Sequence, residues 1–326
     1  MPCFVIFNGL ALCYNTTISI QQKGICMPKS FTLQFTAPEH DHNILLRDFL
    51  AQQNISRTAL TGIKSGGAIL VNGRAETVRY AIQPGDQIVV QYPPESGSSQ
   101  MKGEAMPLSI VYEDDYLLIA EKPAGISTIP SKGHPSGTLA NAIVHHYEQT
   151  GHTAAVHFVT RLDLNTSGLV LVAKHRHIHH LFSLAQQEQT ITKTYLALVE
   201  GQPVPPEGRI DKPISRVDNS SIRRQIHPDG QPASTLYQTI DTFQTGTQPC
   251  SLVQLQLLTG RTHQIRVHMA SLGHPLLGDA LYGGSCNLIN RQALHCAILQ
   301  FQQPLTGEPM QFESSLPEDM RHLTST

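Results

Sequence analysis

Charge is scarce in this chain of 326 residues. Asp, Glu, Lys and Arg make up 15% of it, and 23 basic against 25 acidic residues leave a net charge of -2 with His neutral. The sequence therefore lacks the Lys/Arg surplus with which polyanion-binding proteins neutralise phosphate. Any such surplus must be local, with the 17 His adding charge only where a neighbour keeps them protonated. No apolar run approaches the roughly 18 residues of a membrane span, so no membrane partner is expected. Six Cys (Cys3, Cys13, Cys26, Cys250, Cys286 and Cys296) form no C-x-x-C pair. That excludes a zinc knuckle and a dithiol redox motif, and free thiols suit a reducing, cytoplasmic setting. The pairs Gly66-Gly67 and Gly283-Gly284 lack the spacing of a phosphate-cradling loop. No ATP, flavin, metal or other cofactor is expected.

What is present is 40% hydrophobic residues, enough for a substantial core in one large or two ordinary domains. Residues 1–26 lack the basic start of a signal peptide, and a cleaner beginning lies at Met27. They are expected to be a poorly ordered extension from an upstream start codon, to be checked by the mass of the native N-terminus. Residues 27–94 read as a first domain: an alternating strand from Phe31, apolar residues at helical spacing from Ile44, and Ser56 as N-cap of a helix over Arg57–Lys64. A strand at Ala68–Val71 follows, then an Asn72-Gly73 hairpin turn and a strand at Gln87–Tyr92. This text resembles the S4-like RNA-binding domain, which implies a phosphate-contacting face with Arg47, Arg57, Lys64 and Arg74. Interleaved Asp48, Glu76 and Asp86 keep an ordinary solvated surface as the alternative. Residues 95–107, small and polar, read as a flexible linker.

From 108 to 326 the pattern changes to many strands with irregular spacers, which predicts an α+β domain with a mixed, mainly antiparallel sheet flanked by helices and loops. Predicted elements include a hairpin of Leu108–Tyr112 with Leu117–Glu121, a helix over Leu139–His146, and strands at Leu169–Ala173, Thr194–Val199 and Ser251–Leu258. One segment carries chemistry: Thr160-Arg-Leu-Asp-Leu-Asn-Thr-Ser-Gly, leading into the apolar strand. Residues two apart in extended chain share a side, so Arg161 and Asp163 are placed to face one cleft. Spacing alone favours the simpler reading, in which Asp163 caps the turn after it.

The full text resembles the RluA family of pseudouridine synthases, whose diagnostic segment reads H-R-L-D-x-x-T-S-G-L. The match runs from Arg161 to Leu169 and departs at Thr160, where the family commonly has His. Val111–Ser131, Thr259–Gly284 and Leu294–Met310 are similar to three further motifs, so the likeness covers about residues 108–313. It implies the pseudouridine synthase fold, with the S4-like module as an extension common in the group. It also implies an isomerase acting on uridine in structured RNA, large-subunit ribosomal RNA in S4-bearing members, with Asp163 catalytic.

The resemblance further implies that Arg266 pairs with Asp163, that Tyr195 packs on an everted base, and that Arg161 braces the vacated stack. For Arg266 the ordinary alternative is a weak surface pair, and for Tyr195 a core aromatic. Lys122, Lys174, Arg176, Arg261 and His263 are candidates for phosphate contact, with a second basic stretch at Arg216, Arg223 and Arg224. The run His175-Arg-His-Ile-His-His puts His175 and His179 on one helix face, but no Cys or sequence-adjacent carboxylate completes a ligand set. The chain is expected to act as a monomer. Competing readings are a ribosome-assembly factor with dispensable chemistry, a tRNA-directed pseudouridine synthase, and a hydrolytic nucleobase glycosylase.

Overall fold

The computed structural model describes residues 31–39, 43–95, 97, 101–152, 154–217, 222–245 and 248–324, and the expected extension 1–26 lies outside them. The chain divides between Pro94 and Glu95 into two units. In the first, β1 (Thr32–Thr36) is followed by helices α1 (Leu46–Gln52) and α2 (Arg57–Gly66), then β2 (Ala68–Val71), β3 (Arg74–Ala75) and β4 (Gln87–Gln91). These strands form an antiparallel sheet in the order β1-β4-β2-β3. The expected cap on α2 is present, with the Ser56 hydroxyl accepting from the Ala59 amide at 3.1 Å. Asn72 and Gly73 both take positive φ, 51° and 78°, as the β2–β3 turn requires. Arg47, Arg57, Lys64 and Arg74 are all exposed, and Arg47 pairs with Asp48 at 3.4 Å.

The second unit contains β5 (Ser109–Glu113), β6 (Leu117–Lys122), α3 (Leu139–Thr150), β7 (His157–Phe158), β8 (Ser167–Ala173) and α4 (Arg176–Gln187). It continues with β9 (Thr192–Glu200), β10 (Glu207–Asp211), β11 (Ile214–Arg216), β12 (Arg224–Ile226), β13 (Ser234–Thr245) and β14 (Gln248–Leu257). Last come α5 (Gln264–Ser271), a 3-10 turn at Ala280–Tyr282, β15 (Leu294–Gln302), β16 (Pro309–Glu313) and α6 (Glu318–Thr324). One large sheet runs β10-β13-β14-β9-β15-β8-β6-β5, with β16 on β15 and β7 on β8. Only β8 and β15 run parallel among these pairings, so the sheet is mixed and mainly antiparallel, as the strand pattern implied. The seven residues of β8 are all buried, which explains why this strand reads as an unbroken apolar run.

Gly168 decides how closely β8 and β15 approach. Its φ is +112°, and a Cβ there would collide with the backbone nitrogen and oxygen of Cys296. The expected linker is only partly a linker. Asn141 of α3 donates to the Lys102 carbonyl at 2.8 Å, and the Glu104 carboxylate accepts from the Gly137 amide at 3.0 Å. Those two contacts tie residues 102–104 to the second unit, because polar text can hydrogen-bond a helix start as readily as it can be solvated.

Candidate active site

The strands fix two loops that meet. Before β8, the chain from Thr160 to Thr166 is irregular, and its carbonyls are taken up by the turn after β6. The Lys122 ammonium donates to the carbonyls of Pro123 (2.8 Å), Ile126 (2.8 Å) and Leu164 (3.0 Å). The Gly125 amide reaches the Leu164 carbonyl at 3.1 Å. Thr128 donates to the Leu162 carbonyl at 2.9 Å and accepts the Leu162 amide at 3.2 Å. Burial pushes the Lys122 pKa down, to about 7. Three carbonyl acceptors need three N–H donors, however, and only the ammonium has them, so we take the residue as charged. Lys122 is 0% exposed and cannot contact phosphate; its role is to lock the loop carrying Asp163.

The second loop precedes α5. Gln264, buried, accepts from the Thr259 hydroxyl (2.8 Å) and the Arg261 amide (3.0 Å) and donates to the Ser234 carbonyl and the Thr235 hydroxyl, both at 2.9 Å. This clamp sets the Thr-Gly-Arg-Thr-His-Gln turn, from which α5 delivers Arg266 inward.

Arg266 faces two carboxylates. Asp279 takes one edge of the guanidinium in bidentate fashion, Nε to Oδ2 at 2.7 Å and Nη2 to Oδ1 at 2.8 Å, and the Tyr282 ring lies 5.0 Å from its central carbon. Nη1 remains for Asp163 Oδ2, at 3.4 Å. The expected Arg266–Asp163 pair is therefore present but is the looser of two. Asp279 is the tight partner, an assignment the sequence did not suggest. His263 Nε2 stands 3.7 Å from the same Asp163 oxygen. Among the described residues no hydrogen bond reaches Asp163 Oδ1, and the side chain is 30% exposed. The arrangement holds a carboxylate by one oxygen and presents the other.

Asp163 lines a cavity of about 730 Å³, within the size range of small-molecule sites. Arg161, Tyr195, Arg261, His263 and Arg266 line it too. Arg161 is exposed at its rim. Tyr195 is 4% exposed, and burial, with the nearby Cys296 and Asp163, holds its phenol pKa well above the ordinary value. Thr160, where the family has His, is buried, and its hydroxyl accepts the Leu171 amide at 2.9 Å, so it serves the loop.

Three expected phosphate contacts have protein partners instead. Lys174 donates to the Glu113 carboxylate at 2.8 Å and the Asp114 carbonyl at 2.7 Å, outside the cavity lining. His263 is partly buried against Tyr282 and Asp163, a neighbour of the carboxylate rather than a surface cation. Arg176 is exposed on its side chain but bonds Glu95 at 3.1 Å. Glu95 is the carboxylate that the histidine run lacks in sequence: His157 Nε2 lies at 2.8 Å and His175 Nε2 at 3.2 Å, while His175 Nδ1 caps α4.

One basic residue of the cavity lining escaped the sequence reading. Lys193 lies two positions before Tyr195 on β9 and lines the same cavity, and desolvation lowers its pKa. The signal was available, since strand alternation places 193 and 195 on one side.

Similarity to known proteins follows this geometry. Human RNA Pseudouridylate Synthase Domain Containing 1 is 27% identical, with a TM-score of 0.55 over 65% of this chain and 85% of that one. The Domain Containing 4 protein, at 24% and 0.54, shares the fold over 67% of this chain and 92% of its own. The architecture is thus that of the pseudouridylate synthases. The RNA pseudouridylate synthase family model matches residues 116–271. The uncharacterized RNA pseudouridine synthase YjbO of Bacillus subtilis is 46% identical over 85% of this chain and 97% of its own length. Ribosomal large subunit pseudouridine synthase D of Vibrio parahaemolyticus is 36% identical over 83% and 86%. The chain belongs to the RluA family of RNA pseudouridine synthases, and it is an isomerase.

Proposed function

We propose that this enzyme converts uridine to pseudouridine in large-subunit ribosomal RNA in the cytoplasm, acting as a monomer, with Asp163 as the reacting carboxylate. The observation that carries the reading is the Asp163 carboxylate, held through Oδ2 by Arg266 at the wall of a nucleoside-sized cavity. The reaction breaks the bond from uracil N1 to ribose C1′, turns the base and joins C5 to C1′. The sugar carbon gains oxocarbenium character, which a fixed carboxylate stabilises or traps. A single carboxylate suffices because the base returns to the same sugar. Arg266 sets a fixed positive charge beside that carboxylate, and Asp279 keeps Arg266 from closing fully on it.

Reaching C1′ requires the nucleotide to leave its stack, at a cost of about a few kcal/mol. Tyr195 offers the everted base a ring to pack on, and Arg161 at the rim fills the space left behind. Arg261 beside the cavity is placed for a phosphate. The exposed Arg216 and Arg223 of the β11–β12 ribbon, and Arg47, Arg57, Lys64 and Arg74 on an S4-like first unit, supply the local positive charge that the whole chain lacks. The ribosomal substrate rests on the named activity of relatives such as the Vibrio enzyme.

Tritium release from RNA labelled at uridine C5 tests the chemistry. Wild type should release tritium and Asp163→Asn should not. Unchanged release by the variant would remove Asp163 from the mechanism, and free uracil among the products would indicate a glycosylase. Carbodiimide-stop mapping in a deletion strain tests the substrate, with loss of one or more stops in 23S RNA expected. Losses confined to tRNA would overturn that assignment.

A further inference from the structure

The environment of His263 goes beyond what the reaction has so far required. Its Nδ1 lies 2.9 Å from the Tyr282 hydroxyl, and that hydroxyl accepts the Arg224 backbone amide at 3.0 Å. A backbone N–H can only donate, so Tyr282 spends a lone pair on it and has its own proton available for the imidazole, the arrangement that uses the hydroxyl as both acceptor and donor. An imidazole that accepts at Nδ1 is neutral and carries its proton on Nε2. That nitrogen is the one 3.7 Å from Asp163 Oδ2. Burial lowers the pKa of His263, opposed by Asp163 and Asp279 and assisted by Arg266 and Arg224, which agrees with a neutral ring. His263 also holds a left-handed backbone, φ 57°, unusual for a residue with a side chain and the kind of strain that accumulates at functional sites.

We infer that His263 is a positioning residue: a neutral Nε2–H donor, its tautomer set by Tyr282, that fixes the Asp163 carboxylate through Oδ2 while Oδ1 meets the nucleoside. The inference rests on Asp163 being the reacting group. The 3.7 Å separation is beyond a hydrogen bond, and a shift of less than about 1 Å on substrate binding would bring it within reach. Because the Arg224 amide belongs to β12, the arginine-bearing ribbon and the carboxylate are joined through three groups: Arg224 N–H, Tyr282 O–H and His263 Nε2–H.

The test uses tritium release with full-length enzyme, after thermal melting has shown each variant to be folded. His263→Leu should lower kcat by about 10–100-fold, the usual scale for a partner of a reacting group, with KM for RNA unchanged. His263→Gln, whose amide nitrogen reaches the Nε2 position, should restore most of that loss. Tyr282→Phe removes the proton that favours the neutral ring, so the pKa of His263 rises and the acid limb of the kcat–pH profile moves to higher pH. Nitrogen NMR should show Nε2–H in wild type. A His263→Leu enzyme with wild-type kcat, a Gln variant as slow as Leu, a Tyr282→Phe profile identical to wild type, or an Nδ1–H tautomer would each overturn the assignment. Failure of the Asp163 reading is seen separately, as tritium release by Asp163→Asn.

Discussion

Replacing Lys122 by Met isolates the device that holds the loop bearing Asp163. Met has nearly the same length and no donors, so the ammonium's three contacts disappear with little change in volume. The Leu164 carbonyl keeps the Gly125 amide, leaving the Pro123 and Ile126 carbonyls to bear most of the loss. Each buried, unsatisfied carbonyl costs about 1–3 kcal/mol, and removing a buried charge returns part of that. The net expectation is about 3 kcal/mol, or a melting temperature lower by about 6–12 °C for a unit of this size. Activity should fall further than stability explains, by about 100-fold in kcat, because a shift of order 1 Å at Asp163 misaligns the reacting atoms. Since the chain has no Trp, unfolding in urea is best followed by circular dichroism, alongside tritium release. A Lys122→Met protein within 1 kcal/mol of wild type, still active, would refute the claim that this ammonium braces the site.

Three further outcomes are expected. Burial works to raise the Glu95 pKa, but the His157 hydrogen bond and its other partners bring it down to about 2. A lowered carboxylate pKa gives stability that is full above an ordinary 4.5 and is lost as pH falls toward 2; the stability gap between wild type and Glu95→Gln should be about 2–3 kcal/mol from pH 8 to 5 and shrink in acid. A gap that grows on acidification would contradict it. Gly168→Ala should cost roughly 4 kcal/mol or more in urea unfolding, from collision with Cys296 and a φ closed to Ala, and a loss under about 1 kcal/mol would show that β8 and β15 can part. Arg216→Ala with Arg223→Ala should flatten the log–log salt dependence of RNA binding by about 1.5 in slope, whereas an unchanged slope would place the ribbon away from phosphate.

Residue spacing singled out the loop before β8 but favoured a turn cap for Asp163, and the family resemblance gave that residue its expected role. Arg161, Asp163 and the Thr-Ser-Gly turn sit within nine residues, whereas the close approach of Gly168 to Cys296 appears only in the fold. Arg266 and Tyr195 were reached through resemblance. Charge type was legible, but its direction was not. Lys122 and Lys174 read as surface cations, yet one is enclosed by carbonyls and the other paired with Glu113, because nothing in a lysine's neighbours along the chain says which way it points. Asp279 and Glu95 were missed for a related reason. Their partners lie 13 residues away for Asp279, and 62 or more away for Glu95, and meet them only through tertiary packing.

The placement of β15 carries a consequence for how the enzyme comes into being. Asp163 precedes β8 and Arg266 follows β14, and among the described strands the ladder that joins these two halves of the sheet is β15, which runs between β8 and β9. A chain still being synthesised, with residues 294–302 not yet available, has Asp163 and Arg266 but lacks the strand that pairs their two halves of the sheet. On this topology the pairing of the two halves, and with it the joining of the Asp163 and Arg266 loops in one sheet, waits for the last long strand of the chain.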